Sequence, residues 1–252
     1  MRLAWKRILA AGFGLATALF AGIAAAGETQ VAVAANFSEP AKEIAAAFTK
    51  ATGHEARLSF GPSGQFYTQI ANGAPFQVFL SADGERPAKA EAEGLAVKGT
   101  RFTYAVGRLA LYSKTPGLVD KGGAILKSGK FEKLAIADPV TAPYGAAAVE
   151  ALKKRGLYDQ LKPKIVQGSS IAQAFQFVQT GAAEIGFVAL SQIVHTKEGS
   201  RWLVPATDHR PIIQQAILLK VGENDPAAKA FLDYLKTPAA KAVIRRYGYE
   251  AR

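Results

Sequence analysis

Between residues 30 and 80 the apolar positions of the chain follow two periods in turn. Residues 30–35 form a short, nearly unbroken apolar run of the kind a doubly covered strand needs, and residues 38–52 set Ile44 and Phe48 one turn apart before Gly53 offers a stop. Residues 55–60 alternate, with Ala56, Leu58 and Phe60 on one face; residues 65–72 read as a short helix ending at Gly73, and residues 77–80 as the next strand. The same alternation resumes later. Strands are expected over 133–137, 164–167 and 184–188. Helices are expected over 145–155, stopped by Gly156, and over 171–180, stopped by Gly181. Two last helices are expected over 225–235, with Asp225 as N-cap and Pro226 at the first helical position, and over 238–247.

Two segments break this rhythm. Residues 100–115 are extended in character but too long for one ordinary strand, and they contain Gly107; residues 212–220 are a second extended stretch. A chain that crosses between two lobes and later returns has this form. The expected fold class is therefore α/β with two lobes, each a mixed, mostly parallel sheet flanked by helices, joined by two extended hinge crossings. The lobes are expected to comprise residues 27–105 with 214–252, and residues 106–213.

The N-terminus changes the picture of where the protein works. Arg2, Lys6 and Arg7 precede an apolar, Ala- and Gly-rich run that ends in Ala24-Ala25-Ala26, the pattern of a secretory signal cut after Ala26. So much Ala and Gly would make a weak membrane anchor. Removal of residues 1–26 lowers the formal charge from +11 to +8. The cations are scattered, with Lys153-Lys154-Arg155 the longest run, which argues for a general attraction for anions rather than for nucleic acid. Cysteine is absent, so neither disulfides nor thiolate metal sites are available.

Four junctions where a strand meets a helix share one chemistry. They are Ala35-Asn36-Phe37-Ser38, Gly61-Pro62-Ser63-Gly64, Ala142-Pro143-Tyr144-Gly145 and Gly168-Ser169-Ser170-Ile171. In parallel sheets such junctions lie at the carboxyl edge, where ligands bind, and each helix start offers unpaired N–H groups with a partial positive charge. Ser and Asn at one helix start are ordinary caps; four such junctions, with Gly or Pro at three of them, suggest more. Gly61, Gly64, Gly145 and Gly168 are expected to let backbone approach a ligand closely. Uncharged donors suit a fully deprotonated oxyanion. A ligand that keeps a proton, such as phosphate, would leave that proton unpaired at about 1 to 3 kcal/mol.

Other chemistry finds less support. Gly61-Pro62-Ser63-Gly64-Gln65 departs from the hydrolase nucleophile elbow at its fifth position. His54, His195 and His209 sit in polar segments without acid partners and are expected to be exposed. No zinc spacing, dinucleotide fingerprint or phosphate loop is present, and Phe76, Phe79 and Phe102 are expected in the core.

At the same junctions the sequence resembles the periplasmic molybdate-binding proteins of bacterial uptake systems. The resemblance is carried by Val31-Ala-Val-Ala-Ala-Asn-Phe37, Ser59-Phe-Gly-Pro-Ser63, Phe79-Leu-Ser-Ala-Asp83, Asp138-Pro139 with Pro143-Tyr-Gly145, Gly186-Phe-Val188 with Ser191, and Tyr234-Leu-Lys-Thr-Pro238 with Arg246-Tyr-Gly248. It implies a type II-like periplasmic binding protein, not an enzyme, with no cofactor. The implied ligand is molybdate or tungstate, and the implied partner is the membrane permease of an ABC transporter, served by a monomer. Within the site, the family implies donation by Asn36 and Ser63 from side chain and main chain, and by Tyr144 and Ile171 from main-chain N–H groups, with a neighbouring main-chain contact at Ala35. Some members place a ligand-binding Tyr hydroxyl where this chain has Ala189, and Tyr144 is expected to compensate with its own. Sulfate or another oxyanion stays open as the ligand, as does an exported enzyme acting on a phosphorylated or sulfated substrate.

Overall fold

The structure, a computed structural model, describes residues 26–252, so the expected leader lies outside the described residues except for Ala26. The chain first forms strands β1 (Glu28–Ala34), β2 (Glu55–Gly61), β3 (Val78–Ser81) and β4 (Phe102–Gly107). It continues through β5 (Leu109–Ser113), β6 (Leu134–Ala137), β7 (Ile165–Gly168), β8 (Ile185–Ala189) and β9 (Ser200–Leu203), then returns with β10 (Ile212–Leu218) and β11 (Glu250–Ala251). Two sheets result, in the orders β11-β4-β10-β3-β1-β2 and β7-β6-β8-β5-β9. Each sheet is the centre of one lobe. The segment 100–115, expected as one extended piece, is two strands: β4 ends in the first sheet, and β5 begins in the second after the single residue Arg108.

Parallel pairing joins β1 to β2 and β3 in the first lobe, and β6 to β7 and β8 in the second. The strands next to the crossings, β4, β5 and β10, pair antiparallel with all their neighbours. The sheets are thus more evenly mixed than expected, because a chain that leaves a sheet and comes back reverses direction there.

The helices are α1 (Ser38–Thr52), α2 (Ser63–Ala71), α3 (Glu85–Ala92), α4 (Ala124–Ser128), α5 (Pro143–Lys154), α6 (Tyr158–Leu161), α7 (Ile171–Thr180), α8 (Leu190–Ile193), α9 (Pro226–Leu235) and α10 (Pro238–Arg246). Gly53 closes α1 at φ +78°, as a left-handed C-cap, and Asp225 caps α9 by accepting the Ala227 N–H. Period-2 alternation decides the packing of the first sheet: Val31 and Val33 join Phe37, Ile44, Phe48 and Phe231 on one face, while Ala32 joins Phe66, Ile70 and Phe79 on the other. Each large apolar side chain so buried stabilises the fold by roughly 1.5 to 3 kcal/mol before cavity and entropy terms.

Register brings the junctions together. Ala34 lies beside Gly61 at the carboxyl ends of β1 and β2, and Ala137 lies beside Gly168 at the ends of β6 and β7. Each lobe therefore presents two helix starts side by side.

Candidate functional site

The five residues expected to hold an anion meet in one cavity. It is lined by Ala35, Asn36, Ser63, Tyr144 and Ile171, with Ala34, Gly61, Pro62, Ala82, Ala142 and Pro143 completing the wall. All five are at least nine-tenths buried, and the wall carries no Asp, Glu, Lys, Arg or His. The space is small and walled by residues of both lobes, so a guest enters or leaves only when the lobes part.

Helix starts supply the donors. Ser63 is the first residue of α2, Tyr144 the second of α5 after Pro143, and Ile171 the first of α7, so their N–H groups precede any intrahelical acceptor. Both α2 and α5 begin earlier than periodicity suggested, which moves Ser63 and Tyr144 from the preceding loops into the first helical turn. The Ser63 hydroxyl accepts the Ala82 N–H at 2.9 Å and keeps its own proton to give. Ser170 is an ordinary cap, accepting the Gln173 N–H at 3.2 Å.

The side chains of Asn36 and Tyr144 are engaged elsewhere. Asn36 Nδ2 donates to Gln214 Oε1 and to the Tyr249 hydroxyl, both at 2.9 Å. The Tyr144 hydroxyl accepts from Gln214 Nε2 at 3.2 Å and lies against Gly107 at the end of β4, where a Cβ would come within 2.1 Å of it. Ala189 is a buried residue ending β8.

The glycines serve a different purpose from the one expected. A Cβ on Gly64 would meet Thr141 Cα at 2.9 Å, and one on Gly145 would meet the Ala137 carbonyl oxygen at 2.2 Å. Likewise Gly168 abuts the first turn of α7, and Gly61 the Phe66 ring. They make room for neighbouring protein, not for a ligand.

Sequence reasoning passed over the contacts that hold the lobes together. The Gly64 N–H donates to Thr141 O at 2.9 Å, and Arg86 Nη2 to Val140 O at 2.8 Å. On the other side of the cavity Ser191 Oγ donates to Asn36 O at 2.8 Å, and the Tyr249 hydroxyl reaches the same oxygen at 2.7 Å. Gln214 was visible in the sequence only as a polar residue inside an apolar extended stretch. It is wholly buried, and its partners Asn36, Tyr104 and Tyr144 are distant in the chain.

Burial pushes the hydroxyls of Tyr104 and Tyr144 well above the ordinary tyrosine range. Burial also raises Tyr249, to about 12, against the opposing effect of its bonds with Ser191, Asn36, Tyr144 and Gln214. All three stay protonated while folded, whereas an unfolded chain ionises them near pH 10. The folded state thus binds more protons above that pH, and stability, level below about pH 10, is lost as pH rises from 10 towards 12. Thermal melts at increasing pH check this: the melting temperature is expected to fall steeply in that window.

A larger opening of about 650 Å³ lies beside the cavity and holds Arg86, Arg101 and Arg210. Each is paired with a carboxylate: Arg86 with Asp83, Arg101 with Glu91 and Arg210 with Glu150. Its positive charge is locally cancelled, whereas the smaller space is bordered by the first residues of α2, α5 and α7. Of the histidines, only His195 is exposed; His54 and His209 are half-buried, and His54 Nδ1 accepts the Gly27 N–H at 2.9 Å. Among the described residues no group of three or more His, Cys, Asp or Glu could hold a metal ion, and no helix is long and apolar enough to cross a membrane.

The family described as bacterial extracellular solute-binding protein matches residues 29–250. The chain belongs to this family. Two relatives of this solute-binding protein are molybdate-binding proteins named ModA. That of Rhodobacter capsulatus is 59% identical over 93% of this chain and 94% of its own, and that of Azotobacter vinelandii is 56% identical over 93% and 94%. A solved structure of an Azotobacter vinelandii periplasmic molybdate-binding protein superposes with a TM-score of 0.86, at 41% identity, over 89% of this solute-binding protein and 99% of the other chain.

Proposed function

We propose that this protein is a periplasmic solute-binding protein that captures molybdate, and tungstate by the same chemistry, for the permease of an ABC transporter. The observation that carries the reading is the cavity itself: N–H groups from helix starts of both lobes, and one hydroxyl, converge on a space without a formal charge. Such a cage avoids burying a counter-ion, whose desolvation costs several kcal/mol. The names of the relatives at 59% and 56% identity support molybdate as the guest.

In this reading Ser63 donates from hydroxyl and main chain, Tyr144 and Ile171 from main-chain N–H groups, and Asn36 with its neighbour Ala35 from the 3-10 turn that follows β1. The first lobe takes in residues up to 107 and from 212 onward, two residues more at each boundary than expected because β4 and β10 are strands of the first sheet, with crossings at Arg108 and between β9 and β10. Ligand bridges the lobes and stabilises the closed form, which the permease then recognises. Binding, rather than catalysis, fits a site in which Ser63 has no base beside it.

Calorimetric titration of the mature protein with molybdate, tungstate, sulfate and phosphate tests this. Molybdate and tungstate are expected to release heat at a single site, and phosphate to bind at least about fivefold more weakly, since its proton finds no acceptor at about 1 to 3 kcal/mol. No heat with molybdate, or tighter binding of phosphate, contradicts the reading.

A further inference from the structure

We propose that Arg86 is a positioning residue for the anion cage: its guanidinium, anchored on Asp83 in the first lobe, hooks the Val140 carbonyl of the second and sets how slowly a bound oxyanion is released. The inference rests on the oxyanion reading and adds to it a residue that governs affinity without touching the guest.

The donor is in place before the lobes meet. β3 ends at Ser81, and the chain turns through Ala82 and Asp83 into α3. The Asp83 carboxylate accepts the Arg86 main-chain N–H at 2.8 Å and Arg86 Nη1 at 2.5 Å, so backbone and guanidinium are tied to one group within one lobe. Both side chains are largely shielded, at 22% exposure for Arg86 and 17% for Asp83. Across the cleft, Arg86 Nη2 donates to Val140 O at 2.8 Å. A guanidinium serves two acceptors at once because its donors form a flat, rigid fork.

The acceptor is equally fixed. Asp138 Oδ1 accepts the Val140 N–H at 3.0 Å, Asp138 Oδ2 the Thr141 hydroxyl at 2.8 Å, and Asp138 O the Ala142 N–H at 2.9 Å. Val140 lends only its carbonyl, since its side chain stands 76% exposed. The same turn leads directly into the first turn of α5, which carries Tyr144. On the other side the hook is as close to the cage. A Cβ on Gly64 would stand 3.1 Å from Arg86 Nη2, so the guanidinium lies against the residue that follows Ser63. Ala82, next to Asp83, gives its N–H to the Ser63 hydroxyl. The hook therefore holds the start of α5 against the start of α2.

The consequence is kinetic. When the lobes part, Asp83 keeps the guanidinium in place and Val140 O turns to water. On closing, a preorganised charged donor meets a fixed acceptor, with little side-chain ordering left to oppose it. An anion enters the open form, in which the hook is not made, whereas release requires the hook to break. The larger opening has Asp83, Arg86 and Val140 in its wall, so water competes for these groups and the effect is moderate.

Release is measured by loading residues 27–252 with radiolabelled molybdate and chasing with unlabelled molybdate. R86A is expected to release about tenfold faster and to bind about tenfold more weakly by calorimetry, with the association rate changed less than about twofold. R86K keeps a charge beside Asp83 but has no fork to reach both partners, and is expected to release at least about fivefold faster than the parent. V140A alters only an exposed side chain and is expected to stay within about twofold of the parent. Without molybdate, both Arg86 variants are expected to melt within about 4 °C of the parent, as for loss of a partly exposed ion pair. R86K decides alone where R86A melts further below. Release from R86K as slow as from the parent overturns the hook and leaves oxyanion binding intact. A parent protein that takes up no molybdate in the calorimeter overturns the oxyanion reading and the hook with it.

Discussion

Replacing Gly64 by alanine is expected to weaken molybdate binding about a hundredfold while the unliganded protein melts at the same temperature or slightly higher. The two effects have opposite signs because they arise in different places. Within α2 the substitution removes a flexible residue from a helix, which favours folding by up to about 1 kcal/mol. Across the cleft, the added Cβ would stand 2.9 Å from Thr141 Cα and 3.0 Å from Thr141 O, both backbone atoms of the opposite lobe. That backbone does not yield readily. The Asp138 side chain accepts the Val140 N–H at 3.0 Å and the Thr141 hydroxyl at 2.8 Å, which fixes the turn. The lobes must stay apart, and the bond from Gly64 N–H to Thr141 O is lost with them. A hundredfold loss corresponds to about 2.7 kcal/mol. Calorimetry and a melting curve on the same sample measure both quantities, and unchanged affinity would show that closure does not bring these backbones together.

The second large effect is on stability. Gly145→Ala is expected to destabilise the protein by about 3 kcal/mol, at the upper end of what overpacking does. Its Cβ would lie 2.2 Å from the Ala137 carbonyl oxygen and 2.7 Å from the carbonyl carbon. Ala137 ends β6, which is paired on both sides by β7 and β8, so strand and helix cannot both keep their places. Urea unfolding gives the measurement, and a loss below about 1 kcal/mol would mean that the junction is softer than its geometry implies. Since Gly145 follows Tyr144, the displaced helix start should carry the Tyr144 N–H out of the cage and weaken binding as well.

Much of this architecture is legible in the chain. Long periodic segments such as those that become α1, α7 and α9 declare themselves, as do the apolar runs of β1 and β8, because burial on one face or two imposes a period on sequence. The four junctions could be read for a related reason: helix starts need small or capping residues, and strands that pair in parallel bring their carboxyl ends together. Short elements were not legible. The four-residue helices α6 and α8 and the two-residue strand β11 hold too few positions to show any period, and tertiary contacts fix them. Nor could the sequence reveal what the junction glycines face, since Thr141 is far from Gly64 along the chain. The buried amide network is the clearest example. Asn36 meets Gln214 and Tyr249 across separations of 178 and 213 residues, and no local pattern records that meeting.

A crystal structure of residues 27–252 with molybdate tests the central claim most directly. The account predicts molybdate oxygens about 2.7 to 3.1 Å from the main-chain nitrogens of Tyr144 and Ile171 and from the Ser63 hydroxyl, with no cationic side chain touching the anion. Molybdate held instead by Arg86, Arg101 or Arg210 in the neighbouring opening would contradict it.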